Sequence, residues 1–281
     1  MRELSVNTVR DAVRKLLIDA SYRLPPSLEE ALSAARTTEP DPLAVTVLSK
    51  LEENLAAASE MNVPICQDTG MAVVYLDVGQ EVRFTHGDLM SAVQAGVADA
   101  YTEGYLRKSV VRDPLFDRVN TGDNTPAVVY TKIVPGEKVT VTVCPKGFGS
   151  ENMSKLRMFT PSAKPEDIVD FVTETVKTAG GNPCPPVVVG VGLGGTFDYA
   201  AFLAKKALAR DVSIRNPDQR YAALEQTMLE HINATGVGPQ GFGGRTTALA
   251  VNIETYPTHI AGLPCAVNIG CHVTRHKTAA V

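Results

Sequence analysis

The sequence predicts a mixed α/β fold: a helical N-terminal region, over about residues 1–62, followed by mixed sheets packed with helices. Three observations carry that expectation. Apolar residues recur at helical spacing through the first sixty or so positions, separated by capping residues. Beyond them, short β-rich apolar runs alternate with helical segments. Clusters of Gly and Pro punctuate the boundaries. A length of 281 residues with 44% hydrophobic and 21% charged content supports a sizeable core, as one large domain or two closely packed lobes.

The elements follow in order. Val9, Val13, Leu16 and Leu17 mark one face of a first helix that ends near Pro25. Ser27-Leu-Glu-Glu opens a second. Asp41 as cap with Pro42 at the first helical position opens a third, running to about Met61. Met71–Val78 reads as a strand, and a helix from about His86 to Tyr105 delivers Arg107 and Lys108 at its end. His86 reads as a surface or capping histidine. Asn120–Pro126 is a dense turn cluster. Ala127–Ile133 and Lys138–Cys144 read as strands joined by Pro135-Gly136 into a hairpin. A helix over about Pro165–Ala179, a buried strand at Val187–Val189, a helix beginning near Thr196, a long helix from about Asp218 to Asn233 and a strand at Thr247–Glu254 complete the chain. No repeat, low-complexity tract or linker forces a domain cut.

The formal charge of -4 and a pI near 5.8, with no basic run, argue against a nucleic-acid surface. No apolar stretch reaches membrane-spanning length, and Met1–Asp11 has no signal-peptide pattern, which places the protein in the cytoplasm. Reduced thiols are expected there, so the five cysteines point to metal binding or chemistry rather than disulfides.

The chemistry concentrates in loops. Pro64-Ile-Cys-Gln-Asp-Thr-Gly70 sets a thiol, an amide, a carboxylate and a hydroxyl side by side between turn residues. Taken alone it also reads as a polar turn between a helix and a strand. Pro145–Asn152 carries two glycines around Phe148, a backbone able to converge N–H groups on an anion or simply to turn a corner. Cys184 stands between prolines in Gly180–Pro186, which lock it in an extended, presented conformation. Gly190–Gly195 matches the G-x-G-x-x-G dinucleotide fingerprint, but Asp211, at the right distance for the acidic partner, follows the helical run Lys205–Arg210 with no intervening strand. The glycines are read as tight strand-to-helix packing. Gly236–Gly244 holds five glycines in nine residues. Near the end, Cys271, His272 and His276 could be read as a zinc cluster. The Cys265/Cys271 spacing is unlike short zinc-site spacings, and the two histidines also read as exposed residues at a helix start.

Cys66, Cys184 and Cys271 thus sit in Pro/Gly-shaped loops beside polar residues, whereas Cys144 and Cys265 sit in apolar runs and read as small buried hydrophobes. Three thiolates from distant loops suit an iron–sulfur cluster better than zinc, leaving one iron open as a Lewis acid for removing hydroxide from a hydroxy acid.

Together, Pro64–Gly70, Asn120-Thr-Gly122, Lys146–Asn152, Cys184-Pro-Pro186, Gly194-Gly-Thr196, Gly236–Gly244 and His259 through Cys271 resemble the iron–sulfur hydro-lyases comprising class I fumarate hydratases and L-tartrate dehydratases, specifically their alpha subunit. The resemblance covers nearly the whole chain and implies one hydro-lyase domain over 1–281. It implies a [4Fe-4S] cluster on Cys66, Cys184 and Cys271, the last preferred to Cys265 by its spacing from His259. It matches Gln67 and Asp68 to substrate contacts, with Asp68 as the acid that protonates the leaving hydroxyl. Arg107 matches a carboxylate clamp, Gly149 a backbone donor and His259 a substrate-binding histidine. Where single-chain members carry a glycine triplet at Gly147–Gly149, this chain has Phe148.

The activity so implied is reversible dehydration of (S)-malate to fumarate, with L-tartrate dehydration as the alternative within the family and a zinc-binding structural subunit as the non-enzymatic one. The catalytic base, a threonine in the family, is expected from a separate beta subunit, closing over a face built by Cys66, Arg107, Gly149 and His259. That face should be apolar or glycine-rich. A homodimer of alpha chains within a heterotetramer is expected.

Overall fold

The computed structural model describes every residue, Met1–Val281. In chain order the elements are β1 (Arg2–Ser5), α1 (Val6–Tyr22), α2 (Pro26–Thr38), α3 (Pro42–Met61), β2 (Met71–Gly79), β3 (Val82–Thr85), α4 (Leu89–Glu103), β4 (Val128–Val134), β5 (Val139–Lys146), α5 (Phe148–Glu151), β6 (Lys155–Phe159), α6 (Pro165–Ala179), β7 (Val187–Gly194), α7 (Phe197–Ala207), α8 (Gln219–Asn233), β8 (Ala248–Tyr256), β9 (Leu263–Gly270) and β10 (Lys277–Ala280). The mixed α/β class is thereby found. No helix is long and apolar enough to cross a membrane. The chain packs as two compact units: Met1–Leu24, Leu55–Phe148 and Arg275–Val281 form the first, Pro25–Asn54 and Gly149–Thr274 the second.

The first unit is built on a four-stranded sheet of order β10-β5-β2-β4, beside a two-stranded parallel pair β1-β3. Strand β2 is apolar almost throughout and buried along nearly its whole length, so it takes the centre, with ladders on both edges. It runs antiparallel to β5 and parallel to β4. The hairpin expected at Pro135-Gly136 does not form: β4 and β5 lie on opposite sides of β2. The turn instead carries the chain over the end of β2, where Gly79 N donates to Lys138 O (2.8 Å) and Gln80 N to Val134 O (2.8 Å). Thr131, Lys132 and Ile133 of β4 are exposed, as suits an edge strand. Val9, Val13 and Leu17 of α1 and Val93, Val97 and Tyr101 of α4 fill the core against Val74, Leu76, Val141 and Val143. Asp88 caps α4 by accepting from Ser91 N (2.7 Å), and His86 lies outside that cap, exposed.

The second unit repeats the same strand senses in the order β6-β9-β7-β8: central β7 runs parallel to β8 and antiparallel to β9, which runs antiparallel to edge strand β6. This architectural repeat left no trace in the residues. Val172 and Val176 of α6 and Met228 and Ile232 of α8 pack with Val189, Val191, Ile253 and Ile269 of the sheet. The fingerprint glycines are packing devices. A Cβ on Gly190 would lie 2.1 Å from Ala204 O, and one on Gly192 2.1 Å from Ala200 O, so only glycine lets α7 rest on β7. Asp211 follows α7 without belonging to a strand.

That contact makes a prediction. Gly192→Ala places a methyl against α7 backbone, and the resulting overpacking should cost about 3 kcal/mol, read as a lower denaturant midpoint. An unchanged midpoint would show that α7 can move away freely.

Candidate functional site

The Cys66 loop lies in the first unit between α3 and β2. Its geometry is set from below by backbone groups that have no ladder to join. Gly70 has φ +70°, and a Cβ there would lie 2.4 Å from the carbonyl of Lys146, so glycine is required where the loop crosses β5. Ile65 N donates to Ser21 O (3.0 Å) at the other end. Between these ties Cys66 is half-buried, Gln67 exposed, Asp68 half-buried and Thr69 buried.

A polar web beneath the loop joins it to the stretch that carries Arg107. The Tyr101 hydroxyl donates to Thr69 O (2.9 Å) and Gly70 O (3.0 Å). Burial drives the Tyr101 phenol well above its ordinary value, so it stays a donor. Asn124, fully buried, donates through Nδ2 to Gly70 O (3.1 Å) and accepts through Oδ1 from Ser109 N (2.6 Å) and Val110 N (3.0 Å). Thr69 Oγ1 donates to Arg107 O (3.1 Å). The Arg107 side chain is exposed, four residues beyond the end of α4. Asn120-Thr-Gly122 braces the same stretch: Asn120 Nδ2 donates to Lys108 O (2.9 Å) and Thr121 N to Val110 O (2.9 Å).

The Asp68 carboxylate is oriented by main chain. Oδ1 accepts from Gly70 N (3.1 Å) and Oδ2 from Phe148 N (3.0 Å), while Asp68 O accepts from Arg275 Nη2 (2.7 Å). A Cβ on Gly147 would lie 3.0 Å from Asp68 Oδ2, which explains glycine beside that carboxylate.

In the second unit Cys184 is exposed, but at φ +53° it is left-handed rather than extended as expected, because its N donates to Gly181 O (3.0 Å) and closes a turn after α6; Cys271 is half-buried just after β9. These two loops are tied together. Cys184 O accepts from His272 N (3.2 Å) and from His272 Nδ1 (3.0 Å), an arrangement that assigns the proton to Nδ1. Gln240, from the glycine-rich Gly236–Gly244 loop, donates through both N and Nε2 to Pro185 O (2.7 Å each). That loop is held in turn by Glu39, which accepts from Arg245 N (2.9 Å), Thr246 N (2.7 Å) and Thr246 Oγ1 (2.6 Å). Burial alone would raise the Glu39 pKa, but these bonds outweigh it and hold the carboxylate below its ordinary value. His272 lies in a turn between β9 and β10 rather than at a helix start.

Gly149 stands exposed in the short helix α5, where a Cβ would lie 3.3 Å from Asn182 O. The Ser-Glu-Asn part of its motif is structural: Glu151 pairs with Lys205 of α7 and accepts from Asn268 Nδ2 (2.8 Å) of β9. His259 is exposed, and its Nδ1 accepts from Ala261 N (3.2 Å), which leaves Nε2–H to face solvent or a ligand. Gly194 and Gly195 serve this loop: a Cβ on Gly194 would lie 2.0 Å from Tyr256 O, and Gly195 O accepts from Thr258 Oγ1 (2.9 Å).

The expected site residues therefore fall in two groups: Cys66, Gln67, Asp68 and Arg107 in the first unit, and Gly149, Cys184, His259 and Cys271 in the second. No disulfide joins any cysteine. Cys265 is fully buried, and burial pushes its thiol up to about 12, so it is chemically inert, whereas Cys144 on β5 is half-buried rather than buried as expected. No three His, Cys, Asp or Glu side chains are gathered closely enough to hold a single metal ion, at Cys271, His272 and His276 or elsewhere. No sequence signal marks Tyr101, Asn124, Gln240 or Arg275 individually. They are polar residues without periodicity, whose importance comes from burial.

The model of the family described as "Fumarate hydratase (Fumerase)" matches residues 10–280. The chain is 39% identical over 271 residues to a Methanocaldococcus jannaschii protein named "Putative L(+)-tartrate dehydratase subunit alpha", covering 95% of each. It is 31% identical over 284 residues to the L(+)-tartrate dehydratase subunit alpha of Escherichia coli K12, covering 100% of this chain and 93% of that one.

Asn124→Ala would leave Ser109 N and the buried Val110 N without their acceptor and take one of the two donors from Gly70 O, and should destabilise the protein by about 2–3 kcal/mol. Limited proteolysis should then cut first between Arg107 and Asn120. A variant as stable and as protease-resistant as the parent would remove Asn124 from this account.

Proposed function

The chain belongs to the fumarate hydratase family, and on that premise we propose that it is the alpha subunit of a hydro-lyase that removes water from a small 2-hydroxy dicarboxylate, L-tartrate in preference to (S)-malate. The observation that carries the class is the Asp68 carboxylate, held by two backbone N–H groups two residues after the half-buried thiol of Cys66. The preference for L-tartrate rests on the names of the relatives, and it replaces the (S)-malate/fumarate expectation as the leading reading. The malate reading stays second because the matching family is described by fumarate hydratase.

The donor set suits an iron–sulfur cluster. Cys66, Cys184 and Cys271 present accessible thiols on loops, and soft thiolates are the ligands such clusters take. These three would hold a [4Fe-4S] cluster, which when bound supplies a Lewis-acid iron that polarises the leaving hydroxyl. The chain's own groups would do the rest. Arg107 would grip a substrate carboxylate with its planar fork. His259 would donate from Nε2 and Gly149 from its backbone N. Gln67, exposed beside Asp68, would contact the substrate. Asp68 would deliver a proton to the departing hydroxyl, which leaves as water, while the proton on the neighbouring carbon goes to a base from another chain. For L-tartrate the product of this step is an enol that becomes a keto diacid.

That second chain is the proposed beta subunit, in keeping with relatives named as alpha subunits. Tyr105, Leu115, Phe116 and Val119, near Arg107 in sequence, expose 87%, 71%, 82% and 55% of their surface, apolar side chains of the kind a partner would cover. Tyr256 and Ile260 flank His259 at 53% and 90%. Pairing of alpha chains within a heterotetramer belongs to the same proposal.

The test is steady-state turnover by the native complex, purified without oxygen, on L-tartrate, (S)-malate and fumarate. The expected result is a kcat/KM at least tenfold higher for L-tartrate. Asp68→Asn should lower kcat by about 10²–10⁴-fold, the range for losing a positioned acid, and Arg107→Lys should mainly raise KM. Higher turnover of malate would select the second reading. No hydro-lyase activity on any of the three, or full activity from the alpha chain alone, would overturn the proposal.

A further inference from the structure

Arg275 is 3% exposed, among the most buried charged groups in the protein. Its Nη2 donates to Asp68 O at 2.7 Å. Its Nε and Nη1 are buried without a hydrogen-bond partner, and no carboxylate pairs with it. The neighbouring carboxylate, Asp68, already has both oxygens taken by Gly70 N and Phe148 N. A buried guanidinium with idle donors is costly unless something anionic compensates it. Buried donors of this kind call for a partner, whether an ion, an ordered water or a bound functional group. The charge is also felt at the loop's other tie, since Arg275 pulls the Tyr101 phenol down while burial, the larger effect, and Asp68 push it up.

We propose that Arg275 is a positioning residue. Through Asp68 O it fixes the loop presenting Cys66, Gln67 and Asp68, and its charge and two idle N–H donors serve the anionic centre held at that loop. This rests on the hydro-lyase reading for the identity of that centre: three thiolates on a cluster, with a dicarboxylate bound, carry net negative charge that a buried cation offsets. N–H donors and nearby positive charge are also what set the reduction potential of such a cluster. A purely structural arginine would need neither the burial of its unpaired nitrogens nor a contact to this particular carbonyl.

The test compares Arg275→Gln and Arg275→Lys with the parent, in the full chain. Without iron, amide hydrogen exchange is read at Gly70 and Phe148, the two N–H groups on the Asp68 carboxylate. Exchange there should be at least tenfold faster in both variants, with β7 amides of the second unit unchanged. After anaerobic reconstitution with iron and sulfide, the reduction potential should become more negative in Arg275→Gln, which loses the charge, and stay near the parent's in Arg275→Lys, which keeps it. Exchange within twofold of the parent at both amides, or a potential that Arg275→Gln does not move, would overturn the proposal. If Arg275→Gln fails to fold, Arg275→Lys decides alone through its exchange. A parent chain that takes up no cluster would sink the hydro-lyase reading, while the exchange measurement still decides whether Arg275 holds the loop.

Discussion

Six hydrogen bonds to the main chain of one loop govern the first unit's chemistry. Thr69 O and Gly70 O accept from Tyr101, Gly70 O accepts again from Asn124, Asp68 O accepts from Arg275, Ile65 N reaches Ser21 O and Gly70 N returns to the Asp68 side chain. A loop of this kind cannot satisfy its backbone by secondary structure, so side chains from elsewhere must do it, and they must be buried to do it well. The core formed by α1, α4 and β2 exists on this view partly to hold Tyr101 and Asn124 still. Thr69 and Asn124 carry the same constraint to the Arg107 stretch, so the proposed acid and the proposed carboxylate clamp are referenced to one web rather than to two independent loops. Catalytic groups placed this way lose little to disorder when substrate binds.

The second unit solves a similar problem with glycine rather than with buried polar side chains. Gly190 and Gly192 admit α7 onto β7, Gly194 and Gly195 admit the His259 loop, and Gly241 lies against Gly181, where a Cβ would sit 2.7 Å from Gly181 Cα. Backbone then approaches backbone directly, and His272 and Gln240 fasten the loops bearing Cys184 and Cys271 through carbonyl oxygens. Glu39 closes the arrangement from a distant helix-connecting turn. Its carboxylate stays ionised because four donors outweigh its burial, Asp41 N being the fourth.

Much of this could be read in the residues. Capping at Asp41 and helical spacing at Val9, Val13, Leu16 and Leu17 placed the early helices, since those signals are local. Gly190–Gly195 was legible as packing because the acidic partner on a following strand was missing. What failed was pairing. Pro135-Gly136 has every local mark of a hairpin turn, and only the burial of β2 on both edges separates β4 from β5. The strands β1, β3, β6 and β10 are four or five residues long, too short to show a period. In the site, the loops announced themselves by composition, whereas Arg275, Tyr101 and Asn124 did not. A residue's role as a buried tie depends on what the fold brings to it, and nothing in its immediate neighbours records that.

The central claim is that the thiols of Cys66, Cys184 and Cys271, and not those of Cys144 or Cys265, hold an iron–sulfur cluster. Accessibility separates the loop cysteines from Cys265, whose buried thiol resists ionisation. The most direct measurement is iron and acid-labile sulfide per chain after anaerobic reconstitution, for the parent and each single Cys→Ser variant. The account predicts equal iron and sulfide in the parent and in Cys144→Ser and Cys265→Ser, with loss of both in Cys66→Ser, Cys184→Ser and Cys271→Ser. Zinc in place of iron, or a cluster that survives Cys271→Ser and is lost in Cys265→Ser, would contradict it.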